Sequence, residues 1–116
     1  MRLLLVEDDS MIGESVRKAL RQDGFTVEAS NDAERFAAPD LGDLSLIVPL
    51  ITHHPTQDMP ASAEAIRNLV AAVRSGVGFG AFHGSAVAFP AAVDYHFMTG
   101  AQWVQHPGNI IDYRVH

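Results

Sequence analysis

The chain has 116 residues, 47% of them hydrophobic, which is enough to bury one core and short for two. Eight basic side chains against fourteen acidic ones give a net charge of −6, leaving no basic face for nucleic acid or an anionic membrane surface. The absence of cysteine excludes a disulfide scaffold, a thiolate-ligated zinc or iron–sulfur centre, and a thiol nucleophile.

Arg2 to Glu7 reads as a buried strand, four consecutive apolar residues ended by acids, as in a parallel sheet covered on both faces. Its apolar run, Leu3 to Val6, is too short for a signal peptide or a membrane span, so a cytoplasmic domain is expected. Asp8, Asp9 and Ser10 form a turn with N-cap oxygens for a helix whose apolar stripe is Ile12, Val16, Ala19 and Leu20. Gly24 is placed to stop that helix and Phe25 to make the contact behind it. Phe25 to Ala29 is the second strand, and Asn31 to Ala38 is expected as a short helix before Pro39.

Leu44 to Thr52 is nearly all apolar and predicts a central third strand, with Pro49 marking a bulge or an early end. Turn chemistry over 56–60 opens a helix with the stripe Ile66, Leu69, Val70 and Val73, stopped by Gly76. Val77 to Phe82 is a Gly-rich fourth strand leading into His83-Gly84-Ser85. Gly78 and Gly80 fall on one face of it, where they would admit a closely packed helix. Residues 91–98 suggest a short helix or irregular segment, and Gln102 to His106 and Ile110 to Val115 could each be strands.

Strands alternating with helices predict a single flavodoxin-like domain over residues 1–116. This is a three-layer αβα sandwich around a doubly wound parallel sheet of order 2-1-3-4-5. No helix follows Ile110 to Val115, so the face carrying the first helix is expected to be half covered. Open apolar surface there predicts a homodimer, docked face to face or by strand exchange.

In such a sheet the ligand crevice lies at the carboxyl ends of the strands. The sequence puts Glu7, Asp8 and Asp9 there, then His53 and His54, then His83, Gly84 and Ser85. The catalytic candidates are His83, Ser85 and His106; the metal candidates are Asp8, Asp9, His53 and His54, with Mg²⁺ at Asp8 and Asp9 the one cofactor considered. Against them stand bland roles: acids that cap a helix, histidines on a solvated edge, and Trp103 and His106 packed at a strand edge. No tight ligand spacing, Walker pattern or G-x-G-x-x-G is present.

The opening, MRLLLVEDDSMIGESVRKALRQDGFTV, resembles response-regulator receiver domains of the kind joined to winged-helix domains. The resemblance implies that Asp8 and Asp9 help hold Mg²⁺ beside a phospho-accepting aspartate at the end of the third strand. That strand reads LIVPLITHHP, with no aspartate between Asp43 and Asp58 and no lysine after Lys18, so phosphorelay is not expected. From about residue 25 onward, segments such as LSLIVPLIT, IRNLVAAVRSGVGFGAFHG and VDYHFMTGAQWVQHPGNIIDYRV resemble ThuA-like proteins. These are associated with trehalose utilisation and belong to the class I glutamine-amidotransferase-like superfamily. The resemblance implies a nucleophile elbow after the Gly-rich strand, at Phe82 or His83. Neither is Cys or Ser, which excludes a covalent amidotransferase mechanism.

Composition is also uneven along the chain. Residues 1–45 hold 5 basic and 10 acidic side chains, whereas every histidine follows residue 52 and every proline follows residue 38. The leading reading of the sequence is therefore a chimeric or engineered flavodoxin-like protein without catalysis, small-molecule ligand, nucleic acid or membrane partner. The alternatives are a ThuA-like sugar-utilisation fragment acting through His83 or His106, and a degenerate receiver working by protein contact.

Overall fold

A computed structural model of the chain describes residues 1–52, 59–86, 88–102, 108 and 110–116. Four parallel strands, β1 (Arg2–Glu7), β2 (Thr26–Ser30), β3 (Leu46–Leu50) and β4 (Gly78–Phe79), form one sheet in the order β2-β1-β3-β4. Helices α1 (Ser10–Gln22), α2 (Ala63–Arg74) and α3 (Val93–Thr99) join and follow them. This is the expected α/β architecture, a flavodoxin-like parallel sheet. β1 lies between two partners, with Leu3 in register with both Val27 and Leu46, and so Leu3 through Glu7 are buried.

Alternation along the strands divides the core. Leu4, Val6, Ile47 and Ile51 point to one face and pack with Phe36, Leu69, Phe89 and Tyr95, under α2 and α3. Each large side chain fully buried there contributes roughly 1.5–3 kcal/mol of hydrophobic stabilisation. Leu3, Leu5 and Val27 point to the other face, against Val16 and Leu20 of α1. Leu46, Val48 and Leu50 share that face but remain half-buried, because among the described residues α1 is the one helix on it and it lies over β1 and β2.

The helices start and stop where the sequence placed the signals. Asp9 caps α1, its Oδ1 accepting from the amides of Met11 (2.9 Å) and Ile12 (3.0 Å). At the other end the Gly24 amide donates to Arg21 O and the Phe25 amide to Leu20 O, with Gly24 at φ +90°, a Schellman motif. Gly76 at φ +112° and Val77 repeat that pair of bonds after α2, on Val73 O and Ala72 O.

Several elements depart from the sequence expectation. The helix expected over Asn31 to Ala38 is a 3-10 turn over Ala33–Ala37, cut short because Pro39 forces Ala38 into extended backbone. β3 does not end at Pro49, which sits in register with Val6; the pairing that ends there belongs to β4. Ile47 accepts from the Gly80 amide at 3.0 Å, so alternate residues of β3 turn their backbone groups toward β4. Pro49 is the next of these and has no N–H to give. β4 accordingly contains two residues, where Val77 to Phe82 had been expected. Gly78 serves this strand contact and not a helix: a Cβ there would lie 3.0 Å from Ser45 O and 3.3 Å from Leu46 Cδ1.

Ile110 to Val115 forms no strand, and Ile110, Ile111, Tyr113 and Val115 are exposed, since no ladder reaches them. The strand expected over Gln102 to His106 lies, apart from Gln102, outside the described residues. No helix among the described residues is long and apolar enough to cross a membrane.

Candidate functional site

The carboxyl ends of β1, β3 and β4 meet at one edge. β1 delivers three acids in sequence, and the fold gives each a different environment. Glu7 is buried; its Oε1 accepts from the Asp9 amide at 3.0 Å and its side chain packs under Gly13 of α1. Burial pushes the Glu7 carboxyl above its ordinary pKa, the Asp9 amide opposes this, and the Asp8 and Asp9 carboxylates reinforce it. Asp9 is committed to capping α1. Asp8 is exposed, and its Oδ2 accepts from the Thr52 amide at 3.3 Å, joining the end of β1 to the end of β3.

Beyond β4 the chain leaves the sheet through Gly80 to His83. Of the two positions considered for the elbow, His83 takes the left-handed backbone, φ +45°, and is the sole non-glycine described residue with positive φ. Both His83 and Phe82 are exposed, Phe82 by 60%. A histidine held there carries strain of about 1–3 kcal/mol, which persists where the surroundings over-determine the conformation.

Those surroundings are specific. Gly84 has no room for a side chain: a Cβ would lie 3.0 Å from Ile51 O and 3.1 Å from Thr52 Cα. Ser85 is fully buried, its hydroxyl donating to Pro49 O at 2.7 Å and accepting from the Ile51 amide at 3.2 Å. In a continued parallel ladder the peptide groups of Phe82 would make those two bonds. The Ser85 hydroxyl replaces them, and Phe82 O instead accepts from the Ser85 amide at 3.0 Å. The Tyr95 hydroxyl, from α3, donates to Ser85 O at 2.8 Å. Burial raises the Tyr95 phenol far above its usual pKa, so it serves as a permanent donor.

The structure thus brings Asp8 and His83 to one strand-end edge and turns Ser85 inward, away from the position of a solvent-facing nucleophile. His53, His54, Trp103 and His106 lie outside the described residues. Among the described residues no three His, Asp or Glu side chains are grouped closely enough to hold a metal ion. Thr52 and Tyr95 were not singled out from the sequence: their parts depend on contacts across 44 and 10 residues that no local pattern encodes.

A family model described as trehalose utilisation, ThuA, matches residues 6–116. The chain belongs to the ThuA family. The match takes in residues 6–27, most of the stretch that resembles receivers, so one family model spans α1 and the turn at His83 alike. A search of curated proteins finds no match. A cleft of about 640 Å³ opens between α2 and α3, lined by Met59, Ile66, Val70 and Val93 with Arg67 and Asp94 at its walls. None of its lining residues is Asp8, Thr52 or a residue of the turn at His83, so this cleft lies apart from the strand-end edge.

Proposed function

We propose that this ThuA-family domain binds and processes a sugar at the carboxyl edge of its sheet, with the His83 imidazole as the group that moves a proton. The observation that carries the reading is the left-handed, exposed backbone of His83 on a turn whose Gly84 lies against Thr52, the residue whose amide donates to Asp8. Strain of this kind collects where a side chain must be presented in one direction. An imidazole carries one donor and one acceptor nitrogen and suits acid–base work on hydroxyl or carbonyl groups. Asp8 supplies an acceptor for sugar hydroxyls, and the exposed Phe82 ring supplies a face for the C–H side of a sugar ring. The Ser85 hydroxyl is committed to Pro49 O, so the chemistry assigned here is proton transfer without a covalent enzyme intermediate.

Trehalose and related disaccharides are the test ligands. NMR titration is expected to shift the His83 ring and Phe82 resonances saturably, and His83→Ala and Asp8→Asn to weaken the response by about tenfold or more. Binding that leaves these resonances unmoved, or no binding by any disaccharide, refutes the reading. A chimeric or engineered origin without catalysis is the second reading, supported by the receiver-like wording of residues 1–27 and by prolines confined beyond residue 38, charge thinning after residue 45 and histidines confined beyond residue 52. A genome whose reading frame continues through this stretch would remove it.

A further inference from the structure

We infer that Ser85 and Tyr95 are positioning residues for His83: Ser85, tied to β3 by its hydroxyl and to α3 by the Tyr95 hydroxyl, anchors the chain just after the turn and so sets the direction of the imidazole. The inference rests on His83 being the functional group, and starts from a mismatch between β3 and β4. β3 continues past the point where Pro49 stops β4 from pairing. Two polar backbone groups, Pro49 O and Ile51 N, are left facing a strand that has turned away. A buried peptide group without a partner is costly, and the ordinary remedy is to continue β4. That remedy would carry Phe82 into the ladder and remove the turn that presents His83.

The Ser85 hydroxyl resolves the conflict, because it both donates (Pro49 O, 2.7 Å) and accepts (Ile51 N, 3.2 Å). Threonine shares this capacity but adds a methyl group to a position with no exposure, and cysteine is a poor donor. Tyr95 then fixes the peptide that follows the elbow. Its ring packs edge-on against Phe79 and Phe89, with centroids at 6.0 and 4.8 Å, and a phenylalanine would fill the same space. What the tyrosine adds is one hydroxyl, and its described use is the bond to Ser85 O. Gly84 closes the set by letting the turn lie against Ile51 and Thr52. Three contacts that packing alone does not require thus converge on the residues immediately after His83.

The test reads His83 directly and uses no sugar, so it stands apart from the fate of the sugar-binding reading. Tyr95→Phe and Ser85→Ala would be prepared in the full chain, and the histidine ring signals followed by NMR across a pH titration. The exposed His116 serves as the internal reference. In the folded Tyr95→Phe protein the His83 ring signal is expected to move or broaden by exchange and its titration midpoint to shift, with His116 unchanged. Ser85→Ala is expected to do the same more strongly. Should Ser85→Ala not fold, Tyr95→Phe decides. A folded Tyr95→Phe protein whose His83 signal and midpoint coincide with those of the parent overturns the inference.

Discussion

Comparing His83→Gly with His83→Ala isolates the backbone strain on which the site reading depends. The imidazole is exposed, so its truncation removes little packing, and the two variants differ mainly in what φ +45° costs them. Alanine in the left-handed region carries about 1–2 kcal/mol of steric strain. Glycine carries none, but orders a more flexible unfolded chain at a cost of roughly 0.5–1 kcal/mol. The difference favours glycine by about 0.5–1 kcal/mol, whereas at an ordinary position the same pair favours alanine by a similar amount. The sign therefore decides the question without a precise magnitude. Urea unfolding with a shared m-value gives the difference, and in heating about 1 kcal/mol corresponds to roughly 4 °C for a domain of this size. Glycine should unfold later than alanine, and possession of the more stable backbone should coincide with loss of the sugar response, as expected where a site stores strain. A glycine variant that unfolds before the alanine variant refutes both the strain and the argument built on it.

Gly84→Ala introduces a Cβ about 3.0 Å from Ile51 O, and because backbone cannot yield as a side-chain tip does, a loss of about 1–3 kcal/mol in urea unfolding is expected; an unchanged midpoint refutes the close approach. Glu7→Gln tests the buried acid. Glu7's folded pKa lies above 4.5, so its protonated form favours folding below 4.5 and that advantage is lost as pH rises through the folded value. Glutamine can still accept the Asp9 amide, so the variant should be the more stable protein at pH 7, with the gap closing on acidification; a gap that widens toward pH 4 refutes the burial argument. For the half-covered face, light scattering across a concentration series is expected to show a homodimer that a charge at Val48, as in Val48→Lys, dissociates. A monomer throughout would sink that proposal.

The strands and caps were legible because their causes are local. Four apolar residues before Glu7, the Asp9 oxygens beside free helix amides, and glycines two residues past each long helix act within one turn of chain. Pro49 was legible as an interruption, but its consequence fell on a strand some thirty residues away: a missing N–H is felt by the neighbour that needed it. The same displacement explains Ser85. Its sequence position beside His-Gly suggests a nucleophile, yet two unpaired backbone groups of β3 claim its hydroxyl, and only the tertiary register reveals them. His83 itself was found as a candidate from the Gly-rich strand before it, while its left-handed backbone was not, since nothing in A-F-H-G distinguishes which residue turns. The turn falls on His83 because Gly84 must lie flat against Ile51 and Thr52, and Ser85 must reach back to β3. Once those two residues are placed, the segment Gly80 to His83 must make the reversal, and its left-handed step falls on the residue that carries the imidazole.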